Sequence, residues 1–288
     1  MKDKLKIITS MFIFGTISIF VKNIGLPSAE IAMWRAVLAI IILGSAMAVG
    51  GKFKNIDSDK KTFLKLFVSG AVMGFNWILL FESYKYTSVA VATLCYYFEP
   101  ILVVAASYFI FNEGLTTKKI VCFIAATLGL VLVVISGGLG SNNGMTGIIM
   151  ALSAAVCYAV VILINKSIRN IDSIERTFFQ FVSAVIVVLP YVIVTDGFNI
   201  GQITVFGGVN LLILGIVHTG IAYLMYFSSV SNISGQQASI FGYIDPVTAI
   251  VISAVVLQEA ILPLQWVGGA TVLIFTLINE IEFKKSRV

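Results

Sequence analysis

Charge is scarce in this chain: Asp, Glu, Lys and Arg make up 11% of its residues, against about 25% in soluble domains. With 59% hydrophobic residues and a mean hydropathy of +1.01, it cannot furnish the polar exterior of a water-soluble fold. Histidine occurs once, at His218, which excludes a His-pair metal site. Cys95, Cys122 and Cys157 have no C-x-x-C spacing, so neither a disulfide framework nor a zinc site is supported. They read as small buried hydrophobes. No G-x-x-x-x-G-K-[ST] segment occurs, which argues against pumping driven directly by a nucleotide. The G-x-G-D signature of an intramembrane aspartyl protease is missing around Asp245. No metal, cofactor or enzymatic activity is expected. A net charge of +5 could suggest nucleic acid, but the cations lie between hydrophobic stretches and not on a basic face, so no nucleic-acid partner is expected.

What the chain has is a series of long apolar runs. A bilayer core of about 30 Å takes about 20 apolar residues as a helix. Ten runs of that kind can be placed, at 5–24, 28–49, 63–84, 88–111, 118–136, 145–166, 174–194, 207–230, 235–257 and 263–282. The expected fold is an all-α membrane protein of about ten transmembrane helices, with the lipid bilayer as its first partner. Lys2, Lys4 and Lys6 resemble the start of a signal peptide, yet the run that follows is long and has no convincing small-residue cleavage site, so it reads as a retained helix.

The positive charges orient this arrangement. With the N-terminus in the cytoplasm, all of the 19 cations except Lys22, Arg35 and Lys85 fall on or near that side. Both termini are therefore expected there. The stretch 137–147, GGLGSNNGMTG, is uncharged and glycine-rich, as a flexible outer linker would be. Its glycine spacing misses the dinucleotide fingerprint and lacks a preceding strand.

The two portions of the chain resemble each other at an offset of 146 residues. YYFEPILVVAASYFIFNE (96–113) aligns without gaps on GYIDPVTAIVISAVVLQE (242–259), pairing Glu99 with Asp245, Pro100 with Pro246 and Glu113 with Glu259. The same register pairs Gly74 with Gly220, Phe81 with Phe227, Ser88 with Ser234 and Ala92 with Ala238. The expected domains are a first five-helix repeat at 1–136, an outer linker at 137–144, and a second five-helix repeat at 145–288. An odd number of spans per repeat inverts the second relative to the first, an architecture of secondary transporters. Halves related in this way can exchange shapes around a shared site, giving alternating access.

Several polar residues at membrane depth are candidates for substrate or proton binding. Glu99 lies about halfway along its span, roughly 17 Å from one end at about 1.5 Å per residue, and Asp245 lies at the matching depth. Intramembrane carboxylates are costly and mark function by default. Either they bind a proton or a substrate cation, or they hold helix kinks through hydrogen bonds. Pro100 and Pro246 remove a backbone donor and strain the preceding turn, so a broken or kinked helix is expected at each. His218, at mid-span, could relay protons, though a packed neutral imidazole is the favoured reading. Arg35, about 10 Å below the outer end of its span, could hold a substrate carboxylate; a structural ion pair is slightly favoured. Trp77, Tyr96 and Tyr243 could line a pocket, along with Trp34, Tyr97, Phe98 and Tyr223. Asn76 and Gln180 are uncharged donors that could orient a ligand or bond between helices. Glu113 and Glu259 end the duplicated segments and could act as gate or cap. Gly70 and Gly74, with Ala125 and Gly129, read as helix-packing positions.

The duplicated proline and acidic residues, FEPILVVAASYFIFNE and IDPVTAIVISAVVLQE, together with MWRAVLAIIIL, resemble the drug/metabolite transporter superfamily and specifically its EamA-type ten-helix members. The resemblance implies a carrier in the cytoplasmic membrane, often an exporter of amino acids or related metabolites, with a central cavity between the halves. Substrate does not transfer with fold. The second half has Phe181 where the offset would repeat Arg35, so any role of Arg35 is asymmetric. A channel or facilitator for small solutes is the alternative, with a membrane-embedded enzyme less favoured. Protons are a candidate coupling ion, since one charge crossing about 100 mV is worth about 2.3 kcal/mol.

Overall fold

In the computed structural model the described residues are 2–50, 60–111, 116–138, 144–168, 171–230, 232–233 and 241–280. Among them the regular structure is entirely helical. The order is α1 (Lys2–Gly15), α2 (Ile17–Ile24), α3 (Ser28–Val49), α4 (Lys60–Tyr86), α5 (Val89–Tyr96), α6 (Glu99–Phe111), α7 (Thr117–Gly138), α8 (Gly144–Lys166), α9 (Ser173–Thr195), α10 (Val205–Ile213), a π-helical turn (Leu214–Ile221), α11 (Ala222–Val230), α12 (Ile244–Val255) and α13 (Pro263–Glu280). Among the described residues, eight helical stretches are long and apolar enough to cross a membrane. Two further apolar helices, Ile244–Val255 and Pro263–Asn279, are shorter.

Local sequence explains the helix starts. Ser88 accepts the Val91 N–H at 3.2 Å, Asp172 the Ile174 N–H at 2.9 Å, and Thr204 the Gly207 N–H at 3.0 Å. Each satisfies a donor that the first turn leaves without a partner. Phe109, Val194 and Val205 stand more than three-quarters exposed, an apolar exterior of the kind a bilayer accommodates and water does not. The principal core packs Leu43, Trp77, Phe81 and Phe181 between α3, α4 and α9.

The helix pairings map onto themselves when each residue is exchanged for the one 146 positions away. α4 packs on α8, and α11 packs on α1; α4 packs on α9, and the π-turn packs on α3; α5 and α6 pack on α8, and α12 packs on α1. The pairs α3 with α9 and α7 with α13 each map onto themselves. The correspondence reaches single residues. A methyl group on Gly74 would lie 2.6 Å from Val188, and one on Gly220 would lie 2.8 Å from Ile42.

Both duplicated segments are interrupted at matching places. α5 ends at Tyr96, and α6 begins at Glu99 with Pro100 in its first turn. α12 begins at Ile244, directly after Tyr243, with Asp245 and Pro246 in its first turn. A proline in the first turn of a helix needs no N–H partner, so it restarts a helix without further cost.

Candidate functional site: a cavity at the helix breaks

The two interruptions face one cavity of about 550 Å³. Of the nine candidates for substrate or proton binding, Arg35, Trp77, Tyr96, Glu99, Gln180, Tyr243 and Asp245 line it. Pro100 lines it as well, while Pro246 is buried at the start of α12. Residues from both repeats contribute, so the cavity exists only when the two associate. Tyr97 Oη donates to Asp245 Oδ2 at 2.7 Å, joining the break in one repeat to the acid of the other.

At one end the cavity reaches Asn165, Ser173 and Arg176. Toward the other end it stops at Tyr84, which also lines a second cavity of about 530 Å³ with Lys22, Lys85, Ser88 and Glu259. On the wall of this second cavity, Glu259 ties three segments together. It pairs with Lys22 at the end of α2, and its Oε2 accepts the Val89 N–H at 2.8 Å and the Ser253 hydroxyl at 2.5 Å. Ser253 Oγ accepts the next amide, Ala90 N–H, at 3.2 Å. A carboxylate there meets the positive end of the α5 dipole. Its counterpart Glu113 lies outside the described residues, as do residues 139–143 of the linker, Ser234 and Ala238.

Arg35 differs from the expected structural ion pair. It is 3% exposed and forms no ion pair with a carboxylate among the described residues. Its Nε donates to Thr219 Oγ1 at 2.7 Å, and its guanidinium carbon lies 4.5 Å from the Trp77 ring centre and 5.5 Å from that of Phe81. The rings face the cation with their negative quadrupoles, worth about 2 kcal/mol when desolvated. Depth along α3 is legible in the sequence; which groups meet the side chain is decided by the rotation of α3 against its neighbours.

His218 and Asn76 are set back from the cavity. His218 Nε2 lies 2.8 Å from Thr16 Oγ1 and Nδ1 lies 3.2 Å from the Ile213 carbonyl oxygen, with the Phe20 ring centre 4.5 Å from that of the imidazole. Asn76 Nδ2 donates to the Ala154 carbonyl at 2.7 Å, bonding α4 to α8. Gln180 combines both expected roles: it lines the cavity, and its Nε2 donates to Ser69 Oγ and Asn165 Oδ1, each at 2.7 Å. Replacing Asn76 with Leu is expected to remove about 1 kcal/mol of stability while leaving substrate selectivity unchanged. Thermal unfolding and competition assays on one preparation check this, and a selectivity change would place Asn76 back among the ligand contacts.

Tyr84, Tyr158 and Tyr226 also line the cavity and were not among the sequence candidates. Tyr158 stacks on Tyr96 with centroids 5.7 Å apart and planes 28° apart. Their signal was available, because tyrosine favours the membrane interface and several at mid-span imply a polar interior. Glu30 was missed too. It is fully buried, and it accepts the Asn199 N–H at 2.9 Å and the Trp34 Nε1–H at 3.2 Å, away from the cavity.

The model of the EamA-like transporter family matches this chain twice, over residues 4–135 and again over 145–280. The chain belongs to the EamA-like transporter family. It is 32% identical over 256 residues to the uncharacterized transporter YxxF of Bacillus subtilis (strain 168), covering 87% of this chain and 80% of that protein. It is 25% identical to an uncharacterized transporter of Archaeoglobus fulgidus over 278 residues, 94% of each. Protein PecM of Dickeya dadantii (strain 3937) is 26% identical over 207 residues, 71% of this chain and 69% of that one. A solved crystal structure superposes with a TM-score of 0.65 over 96% of this chain and 97% of its own, at 16% identity, which shows a shared fold. This EamA-like chain is thus an integral membrane transporter within the drug/metabolite transporter superfamily.

Proposed function

We propose that this transporter is a secondary carrier of small metabolites, an exporter of amino acids or related compounds working by alternating access. The observation that carries the reading is the cavity lined from both repeats, in which the two interrupted helices present Glu99 and Asp245. Ten spans form two inverted repeats, 1–136 and 145–288 about the linker 137–144, with both termini in the cytoplasm. The self-mapping helix pairings support this arrangement, because a two-fold axis in the membrane plane generates such pairings.

On this reading the structure is the inward-facing state. The cavity opens past Asn165 and Arg176 toward the side that carries most of the cations, while the network on Glu259 closes the outer end and Tyr84 forms the inner face of that closure. Glu99 and Asp245 receive the substrate's cationic group or a coupling proton, and Gln180, Tyr96, Tyr243 and Trp77 supply orienting contacts. Glu259, with Glu113 as its partner by sequence, acts as gate or cap.

Counterflow in proteoliposomes tests the carrier directly. Labelled amino acid is expected to accumulate against its gradient in vesicles preloaded with unlabelled amino acid. Conductance without counterflow would make the protein a channel. Glu99→Gln and Asp245→Asn are each expected to lower the initial rate at least tenfold, about 1.4 kcal/mol of lost interaction. Wild-type rates and pH dependence in both variants would leave the acids with a structural role alone.

A further inference from the structure

The repeats agree closely in helix pairing, yet they are not identical in local structure. The π-helical turn Leu214–Ile221 corresponds by the offset of 146 to Val68–Phe75, which lies inside the continuous α-helix α4. Within the turn, Thr219 Oγ1 donates to the Leu214 carbonyl five residues back at 2.9 Å, and His218 Nδ1 approaches the Ile213 carbonyl at the same spacing. Such turns inside α-helices concentrate at functional sites, because the extra residue in the turn re-aims its side chains. Here Thr219 uses its proton on Leu214 and so presents only lone pairs, which accept the Arg35 Nε–H at 2.7 Å.

Arg35 is unmatched as well, since the second repeat has Phe181 at the corresponding position, fully buried with its ring centre 5.1 Å from that of Trp77. The π-turn and the unmatched cation are therefore one device. Thr219 holds the inner edge of the guanidinium, Trp77 and Phe81 cover its face, and Nη1 and Nη2 make no hydrogen bond to the described residues. Arginine carries five N–H donors, in a fork that fits a carboxylate with two parallel bonds. Asp245, an acid of the same cavity, is engaged by Tyr97 and not by Arg35.

We infer that Arg35 is an anion subsite of the cavity that takes a carboxylate group of the cargo, with Thr219 of the π-turn as its positioning residue. The inference rests on the carrier reading for the word cargo, but binding at Arg35 does not require transport. The subsite joins Arg35 of the first repeat to Thr219 of the second and has no symmetry-related copy, because Phe181 stands at the position matching Arg35, so the cargo has one orientation relative to the chain: its oxyanion faces α3 and the π-turn.

The experiment uses the full chain in detergent, with benzoate, benzamide and benzylamine as probes of matched shape and different charge. Arginine modification by phenylglyoxal is followed by peptide mass spectrometry, and Arg176, at the mouth of the same cavity, is the internal reference. Saturating benzoate is expected to slow modification of Arg35 about tenfold relative to Arg176, while benzamide and benzylamine leave the ratio unchanged. Equal protection by benzoate and benzamide overturns the inference, as does an Arg35 that benzoate leaves unprotected. In variants that remain monodisperse, Thr219→Val is expected to reduce the discrimination between benzoate and benzamide at least threefold, and Thr219→Ser to restore it. A Thr219→Val protein with wild-type discrimination would remove Thr219 from the proposal. The arm without substitutions needs no variant to fold. Benzoate protection with silent counterflow would retain the subsite and refute the carrier; counterflow without protection would do the reverse.

Discussion

Replacement of Gly70 by Val is expected to abolish recovery of a monodisperse protein at room temperature, or to lower its thermal midpoint by more than Asn76→Leu does. A carbon added at Gly70 would lie 2.2 Å from the Gln180 carbonyl oxygen, 2.7 Å from Ser183 Cβ and 2.8 Å from Gln180 Cα. Two of these are backbone atoms of α9, so no side-chain rotation relieves the overlap and α4 must move away from α9. Overpacking of this kind costs about 1–3 kcal/mol. Separation also pulls Gln180 from Ser69, leaving a buried amide short of a partner for about 1–3 kcal/mol more. It further loosens the Trp77–Phe181 contact against which Arg35 stacks. Gly208→Ala is the control, since a carbon added there meets nothing within 4 Å. Fluorescence-detected size exclusion after a temperature series reads both variants. Wild-type stability in Gly70→Val would show that α4 and α9 do not approach as described.

The second large effect is expected at Glu259. Its two oxygens serve Lys22, the Val89 N–H and the Ser253 hydroxyl, so every neighbour is a donor. Glu259→Gln substitutes an amide whose nitrogen can only donate, which sets donor against donor at one contact and leaves Lys22 without its counter-charge. Lys22 and Glu259 side chains are 29% and 16% exposed, so the ion pair itself is discounted for solvent screening. The mismatched hydrogen bonds remain, at about 2 kcal/mol in all. That is enough to change the ratio of closed to open forms at this end by about thirtyfold. Thr93→Cys, placed on the cavity wall in a background without the three native cysteines, reports the change. An impermeant maleimide added from the Lys22 side is expected to label it far faster with Glu259→Gln than without. Unchanged labelling would mean that Glu259 caps α5 and gates nothing.

The sites of the helix breaks were legible because they depend on local chemistry. Proline cannot donate, and an acid beside it at mid-span has few reasons to be there other than an interior cavity; α5, α6 and α12 begin and end accordingly. Packing at Gly70 and Gly74 was legible for the same kind of reason, since small residues four apart leave one side of a helix open to a neighbouring backbone. For His218 and Asn76 the sequence left a ligand contact and a packed or interhelical role both open, because spacing along a helix fixes depth at about 1.5 Å per residue and leaves open which way a side chain turns.

By itself, the sequence determined a membrane-spanning all-helical chain, its duplication, and the places of its acids and Arg35 along their helices, because hydropathy, repeat register and helical rise are properties of one segment at a time. Only the tertiary structure decided that Arg35 meets two rings and Thr219 instead of a carboxylate, that tyrosines from both repeats wall one cavity, and that Glu259 bonds to Lys22, Val89 and Ser253. Those outcomes depend on how each helix rotates against partners far away in sequence, and on a π-turn whose extra residue shifts every side chain after it.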